Sequence, residues 1–166
     1  AVAMHIGDTA AIDTVFDGLA AQGRQIDILV NNAAANPYYG PLLDMDLGSF
    51  GKILDVNLRG YFYTSQRAAR QMPPGSSIVN IASVNAERPA PGQAVYSLTK
   101  AGIVNLTQGF AKELAPFKIR GEAPLSSAFT YRYWGVADEA SPNELYRPIT
   151  IASIALNARI LGQDPL

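Results

Sequence analysis

The chain has 166 residues, of which 48% are hydrophobic and 16% charged, and its formal net charge is −1. This is the balance of a soluble globular protein of one domain, and it indicates neither a nucleic-acid nor a membrane partner. Cysteine is absent and His5 is the single histidine, which excludes disulfides, thiolate nucleophiles and multi-histidine metal sites. No signal peptide or membrane-spanning run is visible, so we expect a cytoplasmic protein without a metal.

The first thirty residues predict a strand, a helix and a second strand. Residues 1–6 form a short apolar run that predicts a strand. Asp8 is a plausible helix cap, apolar residues then recur at helical spacing, and Gly23 is a likely helix end. Residues 26–30 are continuously apolar, which is typical of a buried strand in a parallel sheet.

Polar and turn-forming residues follow that strand. The side chains of Asn31 and Asn32 could bridge the ends of neighbouring strands. Residues 36–41 read Asn-Pro-Tyr-Tyr-Gly-Pro and predict a turn-rich loop. This loop could wall a substrate pocket or simply cover the edge of the sheet.

Two long helices are predicted, at residues 45–71 and 94–115. The first carries an apolar stripe, and Asn57 lies inside it although asparagine is a poor helix former. The second carries a stripe that we predict to face the core. The two stripes consist of Phe50, Leu54, Leu58, Phe62 and Ala69, and of Leu98, Gly102, Leu106, Phe110 and Leu114.

The segment between these helices carries the strongest chemical pattern. A predicted strand at residues 78–82 ends at Ser83, and a Pro/Gly-rich loop leads to a helix with Tyr96 and Lys100 on one face. A phenol is a poor acid or base near neutrality, but a neighbouring ammonium favours the phenolate and lowers the pKa. Open α/β sheets place their chemistry at the carboxyl ends of their strands, where Ser83 lies.

Together these residues resemble the short-chain dehydrogenase/reductase family, nearest to its carbonyl-reductase-like members. The matching pieces are Asn31-Asn32-Ala33-Ala34, where the family usually ends in glycine, Asn57 in Asp-Val-Asn-Leu, Ser83, and Tyr96-Ser-Leu-Thr-Lys100. The resemblance covers residues 1–120. It implies an α/β fold with a Rossmann-like parallel sheet flanked by helices.

The resemblance also implies the catalytic roles. Tyr96 would give a proton to a carbonyl oxygen or take one from an alcohol, and Ser83 would hydrogen-bond that oxygen. Lys100 would lower the pKa of the tyrosine. Asn57 would bend its helix locally and hold a water in a proton relay behind the lysine.

An NAD(P) cofactor is implied in the same way. Asn31 and Ala33 would line the cofactor cleft, Tyr96 and Lys100 would lie beside the nicotinamide and its ribose, and Asp8 would contact the adenine. Capping of the helix explains Asp8 equally well, and both interpretations remain open.

Two features depart from the family, and they divide the chain at about residue 120. The 166 residues contain no Gly-x-x-x-Gly-x-Gly loop, which in the family receives the pyrophosphate. We therefore expect residues 1–120 to form a truncated sheet that is unable to bind the cofactor alone. Residues 121–166 resemble nothing familiar, and we expect them to pack on the same domain. Within them, residues 149–161 could form a helix or a strand.

Two other functions remain possible from the sequence. Ser97-Leu-Thr-Lys100 is also a Ser-x-x-Lys pattern, so the chain could hydrolyse small esters with Ser97 or Ser83 as nucleophile and Tyr96 or Lys100 as base. Alternatively, it is an inactive oligomerising fragment. The expected substrates are accordingly a small carbonyl compound, an alcohol or an ester.

The resemblance finally implies a homodimer or a larger homo-oligomer. In the family, the two long helices pack against their mates in a partner subunit as a four-helix bundle. Ala101, Gly102 and Gly109 are small enough to permit such an approach.

Overall fold

The computed structural model describes residues 1–121, with side chains as far as Ile119. The tail at residues 121–166, expected to pack on the same domain, therefore lies outside the described residues, apart from its first residue. The same holds for the helix or strand expected at residues 149–161 and for the tail aromatics Tyr131, Tyr133 and Trp134.

The described residues form a three-stranded parallel sheet in the order β1-β2-β3. The strands are β1 (Ile28–Asn31), β2 (Ser77–Asn80) and the two-residue β3 (Arg120–Gly121). All four residues of β1 pair in register with β2, from Ile28 opposite Ser77 to Asn31 opposite Asn80. The predicted α/β architecture, a parallel sheet with flanking helices, is confirmed.

The strand predicted at residues 1–6 is wrong, because this segment has no regular secondary structure and β3 supplies the third strand instead. A strand needs a neighbour for its backbone N–H and C=O groups, and apolar composition alone does not provide one. Val2 and Met4 are accordingly 74% and 38% exposed. The run is apolar, but it pairs with no strand in the described part of the chain.

Helix α1 (Thr9–Ala21) begins at Asp8, as predicted. The Asp8 carboxylate accepts hydrogen bonds from the amides of Ala10 and Ala11, at 3.0 and 3.2 Å. The helix ends just before Gly23, which has a φ of +64° that glycine adopts without strain. Helix capping is therefore a role that Asp8 fills.

The predicted helix at residues 45–71 is interrupted in its middle. It consists of α2 (Leu47–Leu54), a π-helical turn at Asp55–Arg59 and α3 (Gly60–Ala69). Asn57 lies within the π-helical turn and is fully buried. Local distortion at this asparagine was expected from the family resemblance, and π-turns of this kind are frequent at functional sites.

Helix α4 (Ala94–Leu114) agrees with the prediction in extent but not in orientation. Its fully buried side chains include Lys100, Ile103 and Thr107, whereas Leu98 from the predicted core stripe is 55% exposed. The prediction is therefore wrong at Leu98, because much of the inward-facing surface of α4 is polar, whereas Leu114 from the same stripe packs against the core.

The hydrophobic core lies between one face of the sheet and the helices packed on it. Ile78 of β2 packs there with residues of α1 and α3 and with Ile119. Ile28 and Val30 project from β1 to the other face and remain 48% and 43% exposed. The remaining buried members of the core cluster are Ile12, Phe16, Ala68 and Met72.

None of the helices in residues 1–121 has the length and the apolar character needed to cross a membrane.

Candidate active site at the carboxyl end of the sheet

The most unusual buried group is the ammonium of Lys100. The residue is 1% exposed, and its Nζ donates a hydrogen bond of 2.8 Å to the backbone carbonyl of Ile81, just after β2. The same Nζ lies 5.3 Å from the ring centroid of Tyr61 and 5.7 Å from that of Tyr96. A cation taken out of water is thus surrounded by one carbonyl dipole and two aromatic rings.

Burial changes the protonation of Lys100. Desolvation lowers its pKa from the ordinary 10.5 to about 8, because the charged form loses hydration. An amine with such a pKa is still mostly protonated at neutral pH and begins to titrate in mildly alkaline solution. A perturbed titratable group at the end of a parallel sheet is a common mark of a functional site.

Tyr96 lies one helical turn before Lys100 on α4 and is half-buried. The predicted proximity of the two side chains is present, as the distance between the ammonium and the Tyr96 ring shows. Helix geometry alone accounts for it, since residues four apart share a face.

Ser83 lies further past the strand than predicted, because β2 ends at Asn80. Its hydroxyl accepts a hydrogen bond of 3.2 Å from the amide of Asn85 and caps a 3₁₀ turn at Val84–Ala86. This turn contacts α4, and Asn85 Nδ2 donates to Gln93 Oε1, which precedes that helix, at 3.3 Å. The segment carrying Ser83 is therefore attached to the end of α4 that carries Tyr96.

Asn57 connects the π-helical turn to the loop after β1. Its Nδ2 donates to the carbonyl of Ala35 at 2.9 Å, and its Oδ1 accepts from the amide of the same residue at 2.7 Å. Nδ2 also lies 3.3 Å from the hydroxyl of Thr99, the neighbour of Lys100. The asparagine thus fixes the position of the loop relative to α4.

Asn31 serves the sheet itself. It is buried, its Nδ2 donates to Asn80 Oδ1 at 2.8 Å and to Ser65 Oγ at 3.0 Å, and its Oδ1 accepts from Thr64 at 2.8 Å. Asn80 in turn donates to Thr107 of α4 at 3.0 Å. The expected bridging of strand ends is thus present at Asn31.

Sequence reasoning missed the other members of this network. The available signal was Asn80, an amide inside the apolar run Ile-Val-Asn-Ile, where an unpaired polar group would be costly.

The other residues expected at the cofactor cleft, Ala33 and Asp8, are both exposed. Ala33 and its neighbours Asn32 and Ala34 follow β1 without regular secondary structure and are exposed. A surface of alanines lets a flat ligand approach the backbone closely. Asp8 is exposed as well, and its carboxylate is engaged in capping α1.

The tyrosine-containing loop at residues 36–41 lies against the loop that precedes α4. The amide of Gly40 donates to the carbonyl of Gly92 at 3.1 Å, and a Cβ at Gly92 would come within 3.1 Å of the Tyr39 ring. Tyr39 itself is 72% exposed. The loop therefore contacts the segment that joins Ser83 to Tyr96, and both interpretations of the loop remain open.

Ser97, the alternative nucleophile, points into the packed side of α4. It is 2% exposed, and its hydroxyl donates to the carbonyl of Gln93 at 2.8 Å, one turn earlier in the chain. That hydrogen bond is ordinary for a serine in a helix. The geometry gives no support to a hydrolase that uses Ser97.

Comparison with known proteins identifies the family of the chain. Residues 1–124 match the family model described as Enoyl-(Acyl carrier protein) reductase. The chain belongs to the short-chain dehydrogenase/reductase family.

Individual relatives cover the same part of the chain. Carbonyl reductase [NADPH] 2 of Sus scrofa is 40% identical over 123 residues, which are 72% of this chain and 48% of that protein. A short-chain dehydrogenase/reductase from Serratia marcescens superposes with a TM-score of 0.67 at 38% identity, over 71% of this chain and 48% of the other. A short chain dehydrogenase from Burkholderia cenocepacia, solved in complex with NADP, superposes with a TM-score of 0.71 at 25% identity, over 95% and 67%.

The chain spans about half the length of the curated relatives that it matches. Neither the family description nor these relatives give support to the hydrolase alternative.

Proposed function

We propose that this chain supplies the catalytic residues of an oxidoreductase that interconverts a small carbonyl compound and its alcohol with NAD(P). The observation that carries the proposal is the buried ammonium of Lys100 beside the ring of Tyr96, with the lysine pKa lowered to about 8. Family membership and the names of the relatives support the same chemistry.

In this proposal Tyr96 is the acid–base group. The neighbouring ammonium favours the phenolate, so the phenol can donate its proton to a carbonyl oxygen more readily than an isolated tyrosine. Lys100 remains largely protonated at neutral pH and contributes its charge throughout. In the direction of alcohol oxidation, the same phenolate accepts the hydroxyl proton.

Ser83 and Asn57 are proposed to act around this proton transfer. Ser83 would donate its hydroxyl proton to the substrate oxygen while its oxygen still accepts from the amide of Asn85, since a hydroxyl can donate and accept at the same time. Asn57 holds the loop through Ala35 and lies beside Thr99. We infer that it orders the path behind Lys100, and the relay water expected from the resemblance belongs to the same proposal.

The residues present suit the ribose and nicotinamide side of a cofactor. Lys100 carries donors beyond the one used by Ile81, and the exposed Ala33 allows close approach to the backbone. Bound there, the nicotinamide would supply or accept the hydride. Asn31 is committed to the buried network, so its part is structural rather than direct contact. The chain offers no glycine-rich pyrophosphate loop, and we therefore assign it only the catalytic side of the site.

The test is reduction of simple ketones and aldehydes with NADPH and NADH, followed by nicotinamide absorbance. Tyr96→Phe should lower turnover about 10²- to 10⁴-fold, the usual contribution of a positioned acid–base group. Tyr63→Phe, which removes a phenol that donates to Asp13 of α1, should leave turnover unchanged. The cofactor is supplied at millimolar concentration, because the chain is assigned only the catalytic side of the site. Absence of hydride transfer under that condition, or equal rates for the two variants, would contradict the proposal. A parallel assay with p-nitrophenyl esters tests the hydrolase alternative.

We further propose that the chain forms a homodimer through an outer stripe, defined as Leu58, Phe62, Leu98 and Phe110. Phe62 and Leu98 are 42% and 55% exposed, and the rings of Phe62 and Phe110 stack at a centroid distance of 6.0 Å. An apolar stripe on the π-helical turn, α3 and α4 suits a symmetric interface in which each patch meets its own copy.

A further inference from the structure

Tyr61 is a buried titratable residue that the proposed proton transfer does not use. It is the second residue of α3, directly after the π-helical turn, and is fully buried. Its ring centroid lies 5.3 Å from Lys100 Nζ, slightly nearer than the ring of Tyr96. Its hydroxyl lies 3.5 Å from the carbonyl of Ile81, the same oxygen to which Lys100 donates.

We propose that Tyr61 is a positioning residue. The face of its ring holds the Lys100 ammonium beside the carbonyl of Ile81. The role rests on the proposed function only in that Lys100 acts on Tyr96. The arrangement of Tyr61 and Lys100 does not depend on that proposed function.

The physical reason lies in what replaces water around the ammonium. A desolvated cation needs dipoles or π faces in place of its hydration, and a ring face can contribute substantially when water is excluded. The titratable side chains that the described residues place against Lys100 are Tyr61 from α3 and Tyr96 from its own helix. Burial raises the pKa of Tyr61, so its phenol stays neutral and does not become a second anion or a competing base.

The two tyrosines therefore have different roles in this proposal. The ring of Tyr61 is buried on α3 and fixed by packing, whereas Tyr96 is half-buried on the side where substrate would enter. A fixed ring retains its attraction for the ammonium while the phenol of Tyr96 gains and loses its proton. Tyr61 would thus keep the charge at the site in both halves of a catalytic cycle.

The experiment follows the titration of Lys100 itself, so it needs no turnover. The chain has only four lysines, and [ε-¹³C]lysine labelling gives one NMR signal for each, with Lys100 assigned from its loss in Lys100→Met. In Tyr61→Leu, which removes the π face but keeps an apolar side chain, the Lys100 midpoint should move to lower pH by about one pH unit. Tyr61→Phe keeps the ring and should stay near the wild-type midpoint.

Two further variants serve as a control and as a substitute for Tyr61→Leu. Tyr63→Leu, on the same helix, removes a ring whose hydroxyl donates a hydrogen bond to Asp13. This variant should leave the Lys100 midpoint unchanged. If Tyr61→Leu does not fold, a trifluorinated phenylalanine at position 61 keeps the shape and weakens the negative ring face, and the midpoint should again fall. An unchanged midpoint in the variants that weaken the ring would overturn the proposal, even if the protein proves to be an active reductase. A lowered midpoint in an inactive protein would instead count against the proposed function alone.

Discussion

Asn31 and Asn80 occupy paired positions on β1 and β2, and the amide of Asn31 donates to the side-chain oxygen of Asn80 at 2.8 Å. Both are buried, and together they connect α3 to α4 through the sheet. A buried amide network of this kind stabilises the fold only while each member keeps its partners. The two residues therefore provide a sharp test of how the site is supported.

Asn31→Ala should lower the free energy of unfolding by about 2–4 kcal/mol, because it leaves Asn80, Thr64 and Ser65 with lost partners in a buried site. Chemical denaturation measures the loss. Asn32→Ala, at the adjacent exposed position, is the matched control and should change stability by less than about 0.5 kcal/mol. Equal effects at the two positions would show that the network contributes little.

The buried lysine predicts an unusual dependence of stability on pH. Its pKa is about 8 in the folded chain and near 10.5 when unfolded, so between these values the unfolded chain binds more protons. Stability should therefore rise with pH across that window, by about 3 kcal/mol in total, as the penalty for burying the charge is relieved. Below pH 8 both states are protonated and the full penalty remains.

Lys100→Met isolates this contribution, since other alkaline titrations are common to both proteins. Subtracting its unfolding free energy from that of the wild type at pH 7, 8, 9 and 10 should give a difference that rises with pH. The increase should begin near pH 8. Parallel curves would mean that Lys100 is hydrated in solution.

Two glycines in the same helical region should respond oppositely to alanine. At Gly60, a Cβ would lie 2.6 Å from the backbone carbonyl oxygen of Ile6, so Gly60→Ala should cost about 1–3 kcal/mol. At Gly51, within α2, nothing lies within 4 Å of the added Cβ. Gly51→Ala should therefore stabilise the protein by about 0.5–1 kcal/mol. Thermal unfolding of the pair compares them directly, and stabilisation at both positions would show that residues 1–6 do not pack on α3.

The order and kind of elements from α1 to α4 could be read from the sequence because caps and breakers are local signals. Asp8, Gly23 and the Pro-Pro-Gly after α3 each mark an end without reference to the rest of the fold. For residues 1–6, the same kind of local signal gave a wrong prediction of a strand. Its apolar composition predicts burial, but pairing depends on a neighbouring strand that local signals cannot report.

The orientation of α4 could not be read from the sequence, because much of its inward side is polar. The inward side of α3 and α4 carries Thr64, Ser65, Thr107 and Lys100, each with hydrogen-bond partners inside the protein. In α4, hydrophobic periodicity therefore pointed to a stripe that includes the exposed Leu98. The same logic explains why Tyr61 escaped notice: an aromatic residue at a helical position is usually packing, and only the position of the lysine distinguishes it.

That outward apolar side leads to a test of assembly. Leu98 projects from α4 on the opposite side to the buried Thr99 and Lys100, and it is 55% exposed although it is apolar. If the outer stripe forms a homodimer, Leu98→Glu should place like charges near the symmetry axis and weaken association at least tenfold. Gln108→Glu adds the same charge at an exposed polar position of the same helix and should leave the assembly unchanged. Light scattering at micromolar concentration reads the mass of each variant. A wild-type mass near 17.7 kDa would contradict the proposed dimer, and a Leu98→Glu protein that remains dimeric would place the interface elsewhere.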